Sequence, residues 1–349
     1  MREEQAIALL KQLIATPSFS GEEDGTAALI EQFLKDRGVE VNRYKNNVWA
    51  VNKYFDPAKP TILLNSHHDT VKPNKAYTID PFDPVEKDGK IYGLGSNDAG
   101  ASVVSLLSTF LHFYERPDMA YNLLVAITAE EESSGPNGLN GLLPHLPEID
   151  FAIVGEPTQM HLAIAEKGLL VLDVTAHGKP GHAAHTNTVN PIYKALDDIQ
   201  WFRTYRFEKV SPLLGEVKMS VTQIEAGTQH NVVPAECRFV VDVRVNDLYT
   251  NREVLEIIRQ HVQSDVQPRS LRLNSSSIDP AHPFVKAGVS LGRNTYGSPT
   301  LSDQAVLSCP SVKLGPGDST RSHQADEYIY RDEIAEGIDL YIRMLEQIL

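Results

Sequence analysis

Apolar positions along this chain recur with two different periods, and the switch between them marks its elements. Ala6, Leu9, Leu10, Leu13 and Ile14 are spaced as one face of a helix, which predicts an amphipathic helix ending near Pro17. Ser20 and Glu23 have the spacing of a capping box and predict a second helix running to about Gly38. Two β-rich stretches follow, VEVNRY and NNVWAVN. Continuous apolar runs then occupy 61–64, 123–127 and 151–154, with a helix predicted over 100–114. Short unbroken apolar runs suit strands covered on both faces, and their alternation with helices predicts an α/β layer with a mostly parallel central sheet.

Beyond Lys167 the period becomes two. LLVLDVTAHG, VKMSVTQIEAG and AECRFVVDVRV alternate like strands of a sheet with one wet face. Helices are predicted over 190–205 and in REVLEIIRQHV. This set makes an independent α+β unit of ferredoxin-like type. We therefore expect an inserted domain at 168–276 that divides a first domain made of 1–167 and 277–349. After 276 the chain reads as Gly-, Ser- and Pro-rich turns until a last helix over 332–349.

Composition narrows the class. A chain of 349 residues fits two domains, and 42% hydrophobic with 22% charged residues excludes disorder and fibrous architectures. The formal charge of −14 argues against nucleic acid as a partner, since phosphate binding needs clustered Lys and Arg. Cys237 and Cys309 form no CxxC pair and read as free thiols of a reducing compartment. Lys11 and Gln12 break the first apolar run, so it does not read as a signal peptide, and no apolar stretch is long enough for a bilayer. The expectation is a cytoplasmic protein with no membrane partner.

Five segments carry candidate chemistry, and each puts a His or an acid just after a strand or in a turn, where open α/β sheets bind ligands. In LLNSHHDTV, His67 and Asp69 are two residues apart; alone they read equally as loop residues. In GLGSNDAG, Asp98 sits among glycines and reads first as the cap of the next helix. In LLVAITAEEESSG, Glu130, Glu131 and Glu132 leave a buried strand together, a crowding of carboxylates that nearby cations would offset. In FAIVGEPTQ, Glu156 precedes a proline. In LGPGDSTRSHQADEY, His323 lies in a loop before the last helix. No GxSxG, GxGxxG or GxxxxGK pattern competes with them.

In this order the segments resemble the dizinc deacylases and exopeptidases, the family of acetylornithine deacetylase, succinyl-diaminopimelate desuccinylase and carboxypeptidase G. The resemblance spans essentially the whole chain. It implies a zinc-exopeptidase-like catalytic domain and two Zn²⁺, with Co²⁺ or Mn²⁺ as substitutes. His67 with Glu156 resemble the ligands of one metal and Glu132 with His323 those of the other. Asp98 looks like the bridging carboxylate, Glu131 like the general base, and Asp69 like the group that orients His67. GKPGHAAHT resembles the segment whose histidine enters a neighbouring subunit's site, which points to His182, with His185 close by, and implies a homodimer formed through the inserted domain. Asn231 and Arg244 match positions that contact substrate; read alone, they are a turn former and a salt-bridged strand residue. Arg321 and Lys167 are weaker candidates for holding a substrate carboxylate, and Leu301, Ser302 and Asp303 form a turn with no assigned role. Many relatives carry a lysine shortly after the bridging Asp, where this chain has Ala99 to Ser102 as AGAS. The implied substrate is a small N-acyl amino acid. The branch most resembled is acetylornithine deacetylase of arginine biosynthesis, with acylcitrulline, succinyl-diaminopimelate and peptides as alternatives.

Overall fold

A computed structural model describes residues 3–349, which divide into two compact units. The first comprises 3–164, 277–296 and 302–349, and the second 165–276 with Gly297–Leu301.

A nine-stranded sheet forms the first unit's centre. The strands Asn122–Thr128, Thr61–His67, Phe151–Val154 and Ser311–Lys313 lie side by side in parallel, and antiparallel strands flank them. The unbroken apolar runs are explained by burial on both faces. Ile62, Leu64, Leu123, Val125, Ile127, Phe151 and Ile153 enter the large core with the helices Glu3–Ile14, Ala101–Phe113 and Arg331–Glu346. Leu63, Leu124, Ala126 and Ala152 point the other way, into a smaller core with Leu139 and Leu142. Burying one such Leu, Ile, Val or Phe side chain stabilises the fold by roughly 1.5–3 kcal/mol. The carboxyl ends of three of these strands thereby become a rigid shelf holding His67, the acidic triplet and Glu156.

The second unit is an antiparallel sheet ordered Lys218–Ala226, Glu236–Val245, Gly168–His177, Asp265–Pro268. With the helices Pro191–Thr204 and Asn251–His261, its chain order is strand–helix–strand–strand–helix–strand, the split βαβ arrangement. One face buries Leu170, Leu172, Val174, Phe239, Val241 and Val243 against the helices. The other carries Asp173, Arg238, Asp242, Arg244 and Arg269, paired in pattern with the period-two sequence. Thr250 and Glu253 form a capping box that starts the helix Asn251–His261.

Three local expectations are corrected. Ser20 and Glu23 form no capping box: Glu23 is itself the N-cap of Asp24–Lys35 and makes no side-chain cap bond. Its carboxylate instead accepts from Asn46 Nδ2 (2.8 Å), while the Ser20 hydroxyl donates to Asp69 Oδ2 (2.7 Å). The stretch after 276 is more than turns, because it contains the helix Pro283–Ser290, which buries Phe284, Val285 and Ala287. Gly297–Leu301 belongs with the second unit, tied there by the Lys167 N–H donating to the Ser298 carbonyl (3.1 Å). No helix of the described residues is long and apolar enough to cross a membrane.

Candidate metal centre

His67 ends its strand fully buried, 1% exposed, and its two ring nitrogens face acids. Its Nδ1 lies 3.0 Å from the Asp69 carbonyl and 3.3 Å from Asp69 Oδ1, so that nitrogen has acceptors for its proton. Its Nε2 faces Asp98 Oδ1 at 3.3 Å, Glu156 Oε1 at 3.6 Å and Glu131 Oε2 at 3.9 Å. A ring oriented this way offers Nε2 to a cation once the proton there is displaced.

Asp98 turns its two oxygens to two histidines. Oδ1 faces His67, and Oδ2 lies 3.7 Å from His323 Nε2. His323 Nε2 also lies 3.0 and 3.1 Å from the two oxygens of Glu132. Donor atoms of His67, Glu131 and Glu156 lie within 4.8 Å of one another, as do those of His67, Asp98 and Glu132. All five residues proposed as ligands, with Glu131, thus meet in one place although they span 67 to 323 in sequence.

The acidic triplet is held open by Asp69. Its Oδ1 accepts the Glu131 N–H (3.0 Å) and its Oδ2 the Glu132 N–H (3.1 Å). Asp69 therefore fixes both His67 and the backbone that aims Glu131 and Glu132. Glu130 turns away in a left-handed conformation (φ 56°), and its carboxylate accepts from Asn137 N (3.0 Å) and Nδ2 (2.9 Å). Only two of the three consecutive acids enter the cluster.

The electrostatics are those of an acid cluster short of cations. Burial, reinforced by Glu156, Asp303 and Glu132, raises the Glu131 carboxyl well above the usual range. Glu156 is pushed up to about 8 by burial and then by Asp98 and Glu132, against the pull of His67 and Lys313. Burial would lower the His67 pKa, yet Asp69, Asp98, Glu131 and Glu156 together raise it well above normal. Hydrogen bonding to Glu132 lifts His323 to about 9. Asp98 stays low: burial opposes ionisation, but His67, Ser322 and His323 outweigh it. Carboxylates that repel one another into holding protons are what a polyvalent cation relieves.

Two further acids belong to this region. Asp303 is buried, accepts from Thr128 Oγ1 (2.7 Å), and is raised to about 6 by burial. Glu327 is buried and binds the backbone at Asp98. In the sequence Asp303 lies in the turn Leu301–Asp303, and Glu327 four residues after His323. Neither position has a residue pattern that distinguishes a buried acid from a solvated one.

His182, Asn231 and Arg244 lie in the second unit. His182 is exposed on the two-residue strand Gly181–His182, paired with Val232–Val233. The Ala184 N–H donates to its Nδ1 (3.1 Å), which leaves the ring proton on Nε2. His185 is close by, with ring centroids 5.6 Å apart. The Asn231 carbonyl accepts the Ala183 N–H (3.0 Å), closing the same corner. Arg244 forms a two-pronged bond with Asp242 at 2.9 and 3.1 Å, so part of its charge is already matched. Arg321 is bound just as tightly to Glu333 (2.7 and 3.0 Å), and the Lys167 ammonium donates to the Glu216 carbonyl (2.9 Å).

The family description "Peptidase family M20/M25/M40" matches residues 63–347. A succinyl-diaminopimelate desuccinylase of Rickettsia bellii is 27% identical over 97% of this chain and 96% of its own length. Among solved structures, aminopeptidase PepT of Bacillus cereus superposes with a TM-score of 0.79 at 18% identity, covering 100% of this chain and 99% of its own. The Bacillus subtilis YXEP protein, described as a dinuclear metal-binding peptidase, superposes with a TM-score of 0.75 at 17% identity, covering 99% of each chain.

Proposed function

This chain belongs to peptidase family M20/M25/M40, and on that premise we propose that it hydrolyses the amide bond of a small N-acyl amino acid at a dinuclear metal centre. The observation that carries the proposal is the convergence of His67, Asp98, Glu131, Glu132, Glu156 and His323 at the carboxyl edge of one sheet. The residues fit two divalent ions, zinc first with cobalt or manganese as substitutes. Nitrogen and carboxylate donors without cysteine suit a catalytic site rather than a closed structural one. Asp98, with one oxygen toward each histidine, would serve both ions; Glu156 with His67 would hold one, and Glu132 with His323 the other. When bound, such a pair supplies a Lewis acid for the scissile carbonyl and makes an attacking water acidic near neutral pH.

The chain's own residues do the rest. Asp69 holds His67 and, through two N–H groups, the backbone that presents Glu131. Glu131 is not needed as a ligand in this arrangement, and its carboxylate, 3.9 Å from His67 Nε2, stands where a general base is wanted. It takes the proton of the attacking water and returns it to the departing amine. His182 carries its proton on Nε2 and donates to the oxyanion of the tetrahedral intermediate, a preorganised donor of the kind worth about 3 kcal/mol. Arg244 and Asn231 contact the substrate.

We place the active form as a homodimer through the second unit. Its outer strand Lys218–Ala226 is exposed from Thr222 to Ala226, and Tyr193, Leu196 and Ile224 are 68, 52 and 52% exposed. An unprotected strand edge beside exposed apolar residues suits pairing with a second copy. Mixing His182→Ala with Glu131→Ala subunits restores activity if His182 serves the other subunit's site.

The relative from Rickettsia bellii is named for succinyl-diaminopimelate, which favours a succinyl group; the chain's length and compact inserted domain resemble acetylornithine deacetylase, which favours acetyl. N-acetylornithine, N-acetylcitrulline, their N-succinyl counterparts and succinyl-diaminopimelate, each assayed with zinc and with cobalt, separate the two. Release of free amine from one acyl series assigns the substrate; release from none of the five refutes the deacylase reading.

A further inference from the structure

We infer that Glu327 is a positioning residue that fixes Asp98 as the shared ligand, by locking the turn that carries Asp98 to the loop that carries His323. The inference rests on the dinuclear reading above.

Glu327 is 3% exposed. The hydrogen bonds of its carboxylate go to one backbone turn. Oε1 accepts the N–H groups of Asn97 (2.8 Å) and Asp98 (2.9 Å), and Oε2 accepts that of Gly95 (3.1 Å). The Glu327 carbonyl accepts a fourth, from Gly93 (2.9 Å). The turn is irregular: Gly95 is left-handed (φ 75°), and Asp98 departs from helical angles (φ −119°, ψ 97°). Its N–H groups therefore have no helical partners, and a carboxylate with two oxygens meets three of them at once.

The same two segments are joined a second time. Asn97 Oδ1 accepts the Asp318 N–H (3.0 Å), and Asn97 Nδ2 donates to the Asp318 carbonyl (3.1 Å). A Cβ at Gly317 would collide with Asn97 Oδ1, so the chain passes as close there as glycine allows. Between these two fastenings lies His323, left-handed (φ 60°) and only partly covered, its ring bonded to Glu132 and 3.7 Å from Asp98. Neither Asp98 nor His323 is placed by its own regular element. Their separation is set by Glu327 and Asn97, and it decides whether one carboxylate reaches both metal positions.

Placing another buried carboxylate beside Asp98 is electrostatically unfavourable, and a purely structural acceptor would do as well without charge. The charge has a use if it stiffens three N–H groups by charge-assisted bonds while two cations nearby are present to balance it.

The test uses the full-length chain, stripped of metal and titrated with zinc and, separately, with cobalt. Wild-type protein is expected to take up two equivalents. Glu327→Gln keeps the size of the side chain but turns an amide N–H₂ toward backbone donors. It is expected to keep one tight equivalent, to bind the second 10- to 100-fold more weakly, the usual range for losing a group that orients a ligand, and to change the cobalt visible spectrum. Its kcat should fall at saturating substrate with KM little changed. Asp326→Ala, in the same loop but bonded to Thr78 and Ile79, is expected to keep two equivalents. Wild-type uptake and spectrum in Glu327→Gln overturn the inference while leaving the dinuclear reading intact. So does equal loss in Asp326→Ala, because loop order would then be the cause, and so does a Glu327→Gln chain unfolded by circular dichroism. Wild-type protein that binds no second equivalent refutes the dinuclear reading itself.

Discussion

His67 and His177 are both flanked by acids, and the two regions use those acids differently. His177, 55% exposed on the second unit's sheet, lies 3.0 Å from Asp265 and 3.5 Å from Glu236. Around it Arg269 pairs with Asp173 and Arg238 with Glu236, so opposite charges alternate in solvent. His67 is buried beside Asp69, Asp98, Glu131 and Glu156, and the same pocket edge adds Glu132 and Asp303. The count of acids does not separate the two places. Burial with too few cations does, because water screens the first set, while His67, His323 and Lys313 are outnumbered by the acids of the second.

Removing metal is the strongest way to break this comparison. Chelation should abolish hydrolysis, and zinc or cobalt should restore it. Metal held at a thousandfold excess over its Kd should raise unfolding stability by about 4 kcal/mol per site. Retained activity in demonstrably metal-free protein would remove the basis of the contrast. Next in size, Glu131→Gln should lower kcat by roughly 10²- to 10⁴-fold with two metals still bound, as measured by metal analysis. A wild-type rate would show that Glu131 is a bystander like the acids around His177.

A core substitution sharpens the contrast from the other side. Leu172→Ala, beneath the second unit's sheet, should cost about 2–5 kcal/mol by denaturant titration while leaving metal uptake unchanged. Smaller still is a pH effect on the metal-free chain. Glu156 and Glu327, at about 8 against 4.5, and His323, at about 9 against 6.5, bind more protons folded than unfolded between pH 6.5 and 8. Stability therefore falls as pH rises through that window. The carboxyl contributions are complete below 4.5 and gone above 8; His68, lowered to about 4 by burial, acts in the opposite sense only below 6.5. The metal-free melting temperature should be lower at pH 8 than at pH 6.5, and saturating zinc should shrink the difference. A flat profile without metal would mean that the buried acids are already balanced. The smallest effect is expected from His177→Ala, under about 1 kcal/mol with kcat unchanged.

Much of this was legible before the structure. The unbroken runs at 61–64, 123–127 and 151–154 became parallel strands because only a strand covered on both faces needs every residue apolar. The acids that follow those runs were visible for the same reason, since a carboxylate beside a core calls for an explanation. Ser20 misled because its spacing to Glu23 fits a cap equally well; which partner a hydroxyl takes depends on what lies across the fold, here Asp69. Asp303 has no role legible in its turn and Glu327 none in its loop, because nothing local separates a buried acid from a wet one.

The order of hydrophobic periods, and hence the α/β layer, the alternating second unit and the residues at the strand ends, followed from the chain alone, because backbone geometry ties side-chain direction to sequence position. Which acids share a histidine, that Glu130 turns outward while Glu131 turns in, and that Glu327 grips the Asp98 turn were decided only by tertiary structure. Those relations join residues as far apart as 67 and 323, and distance in space between such residues is fixed by packing rather than by spacing along the chain.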